Sequence, residues 1–347
     1  MSAEASVRKP VVRTVLSIDG GGIRGIIPAR IIASIEEQTG RPAAQLFDLI
    51  AGTSTGGILA LGLALPGKDG RPRYRAGELL EFYLQNGPHI FPTSFPLLRM
   101  AGEAIGAKYP AENVERPLRR FFEETRLQAA LTKVLVTSYD LRLPAPFFFK
   151  SWKAAGLAAK GAPAAHFNYR FWEAARATSA APTYFPPFDL ASLDPKDPAK
   201  TLIDGGVFAN NPAMCAYADA RRLFPGDELF VVSIGTGKFG DYLGKGANPR
   251  RWGVLQWARP LLDLLQDGVG DSVSYEMETL LPGAYHRFQQ QIPQEAVMMD
   301  DASRGMMERL SELATRFVEV DAPQQLAAAC DRLVAIAEER AAPDQAA

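Results

Sequence analysis

The chain is poor in the residue types that most often announce a function. Cys215 and Cys330 are its only cysteines in 347 residues, which excludes a disulfide framework and leaves too few thiols for a cysteine-based zinc site. Histidine is almost as scarce. His89, His166 and His286 stand far apart, so no histidine cluster offers metal ligands, and no metal or other cofactor is expected. Charge of one sign is lacking too: 38 basic residues face 39 acidic ones, and this balance gives no electrostatic footprint for a nucleic acid polymer. Long apolar runs are missing as well. The longest uncharged one, residues 58–65, falls well short of the roughly 20 residues that span a bilayer. Met1 to Arg13 has no apolar core of a signal peptide. The chain is therefore expected to be soluble and cytoplasmic, in a reducing compartment, and to meet any lipid from the water side.

Apolar residues are plentiful, at 47%, enough for a large core. Strand-like runs alternate with helical patterns, the signature of a parallel α/β sheet covered on both faces. Thr14 to Ile18 reads as a strand, and after a glycine cluster Ile27, Ile31 and Ile35 mark one face of a helix. Pro28 suits that helix's first turn and Gly40 its C-terminal cap. Further strands are expected at 46–51, 134–139, 147–150, 201–203 and 229–234. The Phe147-Phe148-Phe149 run reads as a buried strand. Lys153 to Ala165, rich in Ala and Gly, reads as a mobile surface segment. The organisation expected is a flexible N-terminus (1–12), a core (13–240), a mainly helical extension packed on it (241–339) and a flexible tail (340–347). His286 is expected in a loop.

The chemistry gathers around glycine. Gly52-Thr53-Ser54-Thr55-Gly56 fits G-x-S-x-G at the point where a strand ends and a helix begins. A nucleophile elbow strains the backbone at its serine, and glycines on either side let strand and helix approach closely. Upstream, Asp19-Gly20-Gly21-Gly22-Ile23-Arg24-Gly25 satisfies G-x-G-x-x-G after a strand, so a dinucleotide site must be weighed. That reading needs an acid at the end of the second strand. Glu36 and Glu37 lie inside a helix instead, and the second strand ends in the elbow. The better reading is an oxyanion hole, with the amides of Gly20, Gly21 and Gly22 aimed at a charge that develops only in the transition state. Arg24 would steady the loop.

A nucleophilic serine needs a base, usually a histidine held by a carboxylate. None of the three histidines follows a strand into a glycine loop near the C-terminus, where a hydrolase triad would place it. Asp204-Gly205-Gly206, directly after the run 201–203, is the better candidate. A carboxylate is a weak base for a hydroxyl, so it must touch Ser54 directly in a site of low dielectric.

In order and in register, Asp19 to Gly25, Gly52 to Gly56 and Asp204 to Gly206 resemble the motifs of the patatin-like phospholipase family. Ala177 to Pro186 and Ser233 to Gly237 resemble two further blocks of that family, and for both a structural role is expected. The resemblance covers roughly residues 13 to 240. It implies a three-layer α/β/α sandwich with a mostly parallel central sheet and a Ser54–Asp204 dyad. It also implies an oxyanion hole at Gly20 to Gly22 and Arg24, and metal-free hydrolysis of acyl esters of phospholipids or related glycerolipids. Some bacterial relatives of this layout are effectors switched on by a cyclic nucleotide that degrade the cell's own membrane in phage defence, a role the resemblance permits here. An esterase or acyltransferase of soluble esters, and a binding module without turnover, are the alternatives. Two segments are candidates for transient contact with a membrane surface. Phe91 to Leu98 reads as a lipid-dipping flap or a buried segment, and the basic-then-apolar stretch from Arg250 to Leu265 reads as a membrane face, a core face or the interface of a homodimer.

Overall fold

The computed structural model describes residues 10–92, 106–157, 163–240, 250, 253–293, 296 and 298–341, with the backbone alone for 254–263. Its strands are β1 (Val12–Ile18), β2 (Leu49–Gly52), β3 (Lys133–Asp140), β4 (Ala145–Lys150), β5 (Phe188–Leu190) and β6 (Lys200–Asp204), followed by β7 (Glu228–Ile234), β8 (Lys238–Phe239), β9 (Tyr285–Phe288) and β10 (Gln291–Ile292). Eight of them form one sheet in the order β5-β6-β3-β2-β1-β7-β9, with β4 also on β3; β8 and β10 pair separately. The run β3-β2-β1-β7-β9 is parallel throughout, while β4 and β6 lie antiparallel to β3. The sheet is thus parallel through its centre and mixed on one side.

Why these strands sit centrally follows from their side chains. Val15, Leu16 and Ile18 of β1 and Leu49, Ile50 and Ala51 of β2 are all fully buried, the near-continuous apolar run of a strand covered on both faces. Successive residues then feed opposite layers. Leu16, Ile50, Val134, Val136 and Val232 join one core cluster, and Val15, Leu49, Leu135 and Val231 join the other. The first cluster holds the helices Ile26–Thr39, Thr55–Leu63, Ala76–Ile90 and Phe171–Thr178. The second holds the helix Ala213–Leu223 and Met277 of the long helix Val254–Leu280. These are the three layers of an α/β/α sandwich. In the helix Ile26–Thr39, Ile27, Ile31 and Ile35 are fully buried, each contributing roughly 1.5–3 kcal/mol relative to exposure. Gly40 ends that helix at φ 68°, a left-handed cap that favours glycine.

The C-terminal third is woven into this framework. The helices Arg304–Arg316 and Pro323–Ala341 place Met307, Leu310, Leu326, Cys330 and Leu333 in the first cluster. His286, expected in a loop, instead lies on β9, the edge strand parallel to β7, opposite Val232. A run as short as Tyr-His-Arg-Phe carries too weak a period-2 signal to be read as a strand on its own. Phe147 to Phe149 do lie in a strand, β4, with Phe149 buried and the other two half-buried. Within 153–165, Ser151–Ala154 and Ala164–Phe167 are short helices, and 158–162 fall outside the described residues.

What matters most for function is how β3 is shared. On one edge it pairs with β4. On the other it pairs first with β2, through Lys133 to Val136, and then with β6, through Ser138 to Asp140. The ends of β2 and β6 therefore meet on that edge.

Candidate active site

Ser54 follows the end of β2 and precedes the helix Thr55–Leu63, at φ 54° and ψ −123°. Such a conformation is costly for a residue with a side chain, and it persists only where its surroundings impose it. Those surroundings are visible. The Ser54 amide donates to Thr178 Oγ1 at 2.8 Å. The Ser54 carbonyl accepts from Gly57 and Ile58, at 2.9 and 3.1 Å, in the first turn of the helix. Thr53 Oγ1 lies 2.7 Å from Thr137 Oγ1 on β3 and donates to the Ala209 carbonyl at 2.6 Å. Thr55 is held by Tyr83, whose hydroxyl accepts from Thr55 Oγ1 at 2.6 Å and donates to the Thr55 carbonyl at 3.0 Å. The motif's glycines are steric necessities: a Cβ on Gly52 would lie 2.0 Å from the Gly56 carbonyl oxygen, and one on Gly56 would lie 2.2 Å from that of Ile18.

Asp204 closes the site from β6. Its carboxylate is buried, takes the Gly206 amide at 2.7 Å, and lies close enough to the Ser54 hydroxyl for that group to favour its ionised form. Burial raises its pKa to about 7, against the opposing pull of the Ser54 hydroxyl and the Gly206 amide. Gly205 lets the chain turn over β3, since a Cβ there would lie 2.1 Å from Thr137 Oγ1. The Asp204 amide donates to the Ala180 carbonyl at 3.0 Å. The block Ala177 to Pro186 thus touches both halves of the pair, through Thr178 and Ala180.

The glycine loop approaches Ser54 from β1. A Cβ on Gly20 would stand 3.2 Å from Ser54 Cβ. The expectation that all three loop amides face the reacting carbonyl needs correction at Gly20, whose amide donates to the Asn210 carbonyl at 3.1 Å. The Ile23 and Arg24 amides are also engaged, with Met299 and Gly21 carbonyls at 2.8 and 3.2 Å. This leaves the Gly21 and Gly22 amides with no hydrogen-bond acceptor among the described residues. Gly20 matters instead for what it lacks, because the Asn210 side chain fills the space beside it. Arg24 is buried, with Nε 3.4 Å from the Gly21 carbonyl and its guanidinium 5.2 Å from the centre of the Phe239 ring. That placement braces the loop from behind.

Ser54, Asp204, Gly21 and Gly22 open into one pocket of about 900 Å³, counted with its open mouth. Its walls include Ile23, Ile58, Phe82, Ile90, Phe91 and Val114, so the cavity is mostly apolar. Phe91, Tyr109 and Phe185 pack together in edge-to-face and tilted contacts with ring centres 5.5–5.8 Å apart. Of the expected flap, Phe91 therefore belongs to the pocket wall, and 93–98 fall outside the described residues. Of the stretch from Arg250 to Leu265, Arg250 is exposed, 251–252 are outside the described residues, and only the backbone helix is described for 254–263.

No histidine lines the pocket. His89 Nδ1 lies 3.3 Å from the Gln85 carbonyl on an exposed helix face, and His166 pairs with Asp194 at 2.9 Å. His286 sits on β9 against Phe230, its pKa lowered by burial. No cluster of three or more His, Cys, Asp or Glu fit to hold a metal occurs among the described residues. Sequence reasoning missed Asn210, Tyr83, Gln266 and Met299, all of which line the pocket. Asn210 alone had a local signal, six residues after Asp204 in Asn210-Asn211-Pro212.

Comparison with known proteins finds similarity across the segment that holds these motifs. Residues 16–217 match the family profile described as patatin-like phospholipase. Patatin-like protein 2 of Oryza sativa subsp. indica is 31% identical over 92% of this chain and 86% of its own length. Patatin-like protein 1 of the same plant is 34% identical over 88% of this chain and 81% of its own. Among solved structures, human GIVD cytosolic phospholipase A2 aligns with a TM-score of 0.44 at 11% identity, over 93% of this chain and 60% of that one.

Proposed function

The chain belongs to the patatin-like phospholipase family, and from that premise we propose that it cleaves carboxylic ester bonds of phospholipids or related glycerolipids through a Ser54–Asp204 dyad and an acyl-enzyme. The observation that carries the proposal is the Ser54 hydroxyl beside a buried carboxylate whose ionised form it favours, in a pocket that both line and no histidine enters.

Ser54 Oγ attacks the ester carbonyl while Asp204 takes the hydroxyl proton, and the tetrahedral oxyanion is held by the amides of Gly21 and Gly22. Collapse expels the alcohol, protonated by Asp204, and leaves the acyl chain on Ser54. Water then attacks the acyl-enzyme as Asp204 takes its proton, and the acid leaves with Ser54 restored. A carboxylate of ordinary pKa is poorly matched to this work. One raised to about 7 is a stronger base and still largely ionised at slightly alkaline pH. The helix Thr55–Leu63 points its N-terminal dipole end at the same centre.

The apolar walls suit a fatty acyl chain, with the headgroup outside the mouth. Val207, which lines the pocket, is 40% exposed, and Leu265 and Val269 are exposed on the helix that sends Gln266 into it. These residues support transient contact with a lipid surface. No described helix is long and apolar enough to cross a membrane.

Lipid mass spectrometry of mixed glycerophospholipid and galactolipid vesicles tests the proposal. Free fatty acid and the matching lyso-lipids are expected with the wild-type protein and not with Ser54→Ala. Turnover of monomeric esters alone would favour a soluble-ester hydrolase. The cyclic nucleotide activation that the family resemblance allows enters as an added arm, with and without cyclic mono- and dinucleotides.

A further inference from the structure

Glycines cannot hold themselves in place, so the direction of the Gly21 and Gly22 amides depends on the residues flanking them. On the far side, the Ile23 amide is fixed to the Met299 carbonyl at 2.8 Å. In the middle, Thr236 Oγ1 donates to the Gly20 carbonyl at 2.6 Å. On the near side stands Asp19, directly after β1, whose carboxylate reaches across to β9. There Arg287 meets it with both arms of its guanidinium: Nη1 donates to Oδ1 at 3.0 Å and Nη2 to Oδ2 at 2.5 Å. Nη1 also donates to Ser233 Oγ at 2.9 Å. Both side chains are almost wholly buried, 5% exposed for Asp19 and 14% for Arg287. Arg287 comes from β9, 268 residues downstream.

We propose that Arg287 is a positioning residue for ester hydrolysis: by clamping Asp19 at the root of the glycine loop, it orients the Gly21 and Gly22 amides toward the oxyanion. The inference rests on the reading of those amides as oxyanion donors. A planar fork on a carboxylate fixes direction as well as charge, and oxyanion donors lose their effect when their direction is wrong. Packing has been cleared around the pair. A Cβ on Gly235, two residues after Ser233, would come within 2.9 Å of Arg287 Nη2 and closer still to Gln289 Oε1. Asp271, on the helix Val254–Leu280, adds a second acidic charge near Arg287 and is itself tied to Lys238 at 2.6 Å. The C-terminal third of the chain thus reaches the root of the glycine loop from the edge strand of the sheet.

Arg287→Lys tests this, because it keeps the charge and removes the fork. In a variant with a wild-type circular dichroism spectrum, kcat on a short-chain monomeric ester is expected to fall roughly ten- to a hundredfold, with KM within about threefold. Labelling of Ser54 by a fluorophosphonate should slow in parallel, since its phosphoryl oxygen occupies the oxyanion position. A folded variant with wild-type kcat and labelling rate would overturn the proposal, whatever its melting temperature. Where Arg287→Lys does not fold, Asp19→Asn takes the same measurements, and failure of both to fold would mark the pair as purely structural and overturn it. Ser54→Ala in parallel separates the two readings. If it is dead while Arg287→Lys is normal, the dyad stands and the positioning role falls; if it stays active, the dyad itself has failed.

Discussion

Gly52 and Asp204 lie on the same edge of β3, two places apart, Gly52 opposite Val136 and Asp204 opposite Ser138. One strand hands its edge from a parallel neighbour to an antiparallel one, and at the handover the last residue of β2 faces the last residue of β6. The elbow begins where β2 ends and Asp204 ends β6, so the serine and its carboxylate meet without a third residue between them. Backbone pairing sets their distance, which makes this a rigid site built on strands.

Replacing Ser54 with alanine should abolish turnover and leave the fold intact. The hydroxyl contributes its favourable interaction with the Asp204 carboxylate and little buried area, while the strained turn is held by backbone contacts that alanine keeps. Melting is expected within a few degrees of wild type, equivalent to about 1 kcal/mol. Esterase activity above a mock preparation would reject Ser54 as the nucleophile.

The Asp204 carboxyl, raised to about 7 by burial, sets the acid limb of the pH profile. Only the ionised form accepts a proton, so kcat/KM on a monomeric ester should rise through a midpoint near pH 7 and then level off. Stability should run the opposite way. A carboxyl whose folded pKa lies above its unfolded value favours folding fully below that unfolded value, and this contribution is lost as pH rises through about 7. Asp204→Asn removes the cost of the buried charge, so it should be nearly inactive yet melt higher than wild type at pH 8.5, by an amount that shrinks by pH 5. An acid limb near pH 4, or a variant less stable at pH 8.5 than at pH 5 relative to wild type, would contradict the assignment.

How much of this was legible in the sequence depended on whether a requirement is local. Gly52, Gly56, Gly205 and Gly20 are each demanded by an atom nearby in the fold, and a clustered demand leaves a clustered glycine pattern. The strands of the central run were legible because burial on both faces needs unbroken apolar residues. Thr178, Tyr83, Met299 and Arg287 support the site from remote segments, as ordinary-looking residues on helices, a turn and an edge strand, where no spacing rule distinguishes them. The engaged Gly20 amide was equally hidden, since which amide a loop spends internally depends on Asn210, a residue 190 positions away.

Gly52→Ala should be disruptive beyond its small change in volume. Its methyl would lie 2.0 Å from the Gly56 carbonyl oxygen, with backbone on both sides, so strand and helix must separate. A loss on the order of 3 kcal/mol or more is expected, the upper part of the range for overpacking, seen as a lower urea midpoint or as insoluble protein. Gly77→Ala on the helix Ala76–Ile90, where nothing lies within 4 Å of the added methyl, is the control and should be neutral or slightly stabilising.

The last prediction concerns the base. In a triad, loss of the histidine costs several orders of magnitude in rate, because the proton has nowhere to go. Here the hydroxyl shares the pocket with Asp204 and favours its ionised form, while His89 contacts its own helix, His166 pairs with Asp194 and His286 lies against Phe230. Each of His89→Ala, His166→Ala and His286→Ala should therefore keep kcat within about threefold of wild type on a short-chain ester, far from the loss expected for a missing base. His286→Ala should cost the most stability, because it removes a half-buried ring from β9. A folded histidine variant as inactive as Ser54→Ala would replace the dyad with a triad whose third member reaches the pocket only when substrate is bound. That outcome would also make the direct Ser54–Asp204 contact a resting arrangement, so the same three variants should be labelled with a fluorophosphonate. Unchanged labelling rates in all three, beside a lost rate in Asp204→Asn, would leave the carboxylate as the one group that activates Ser54.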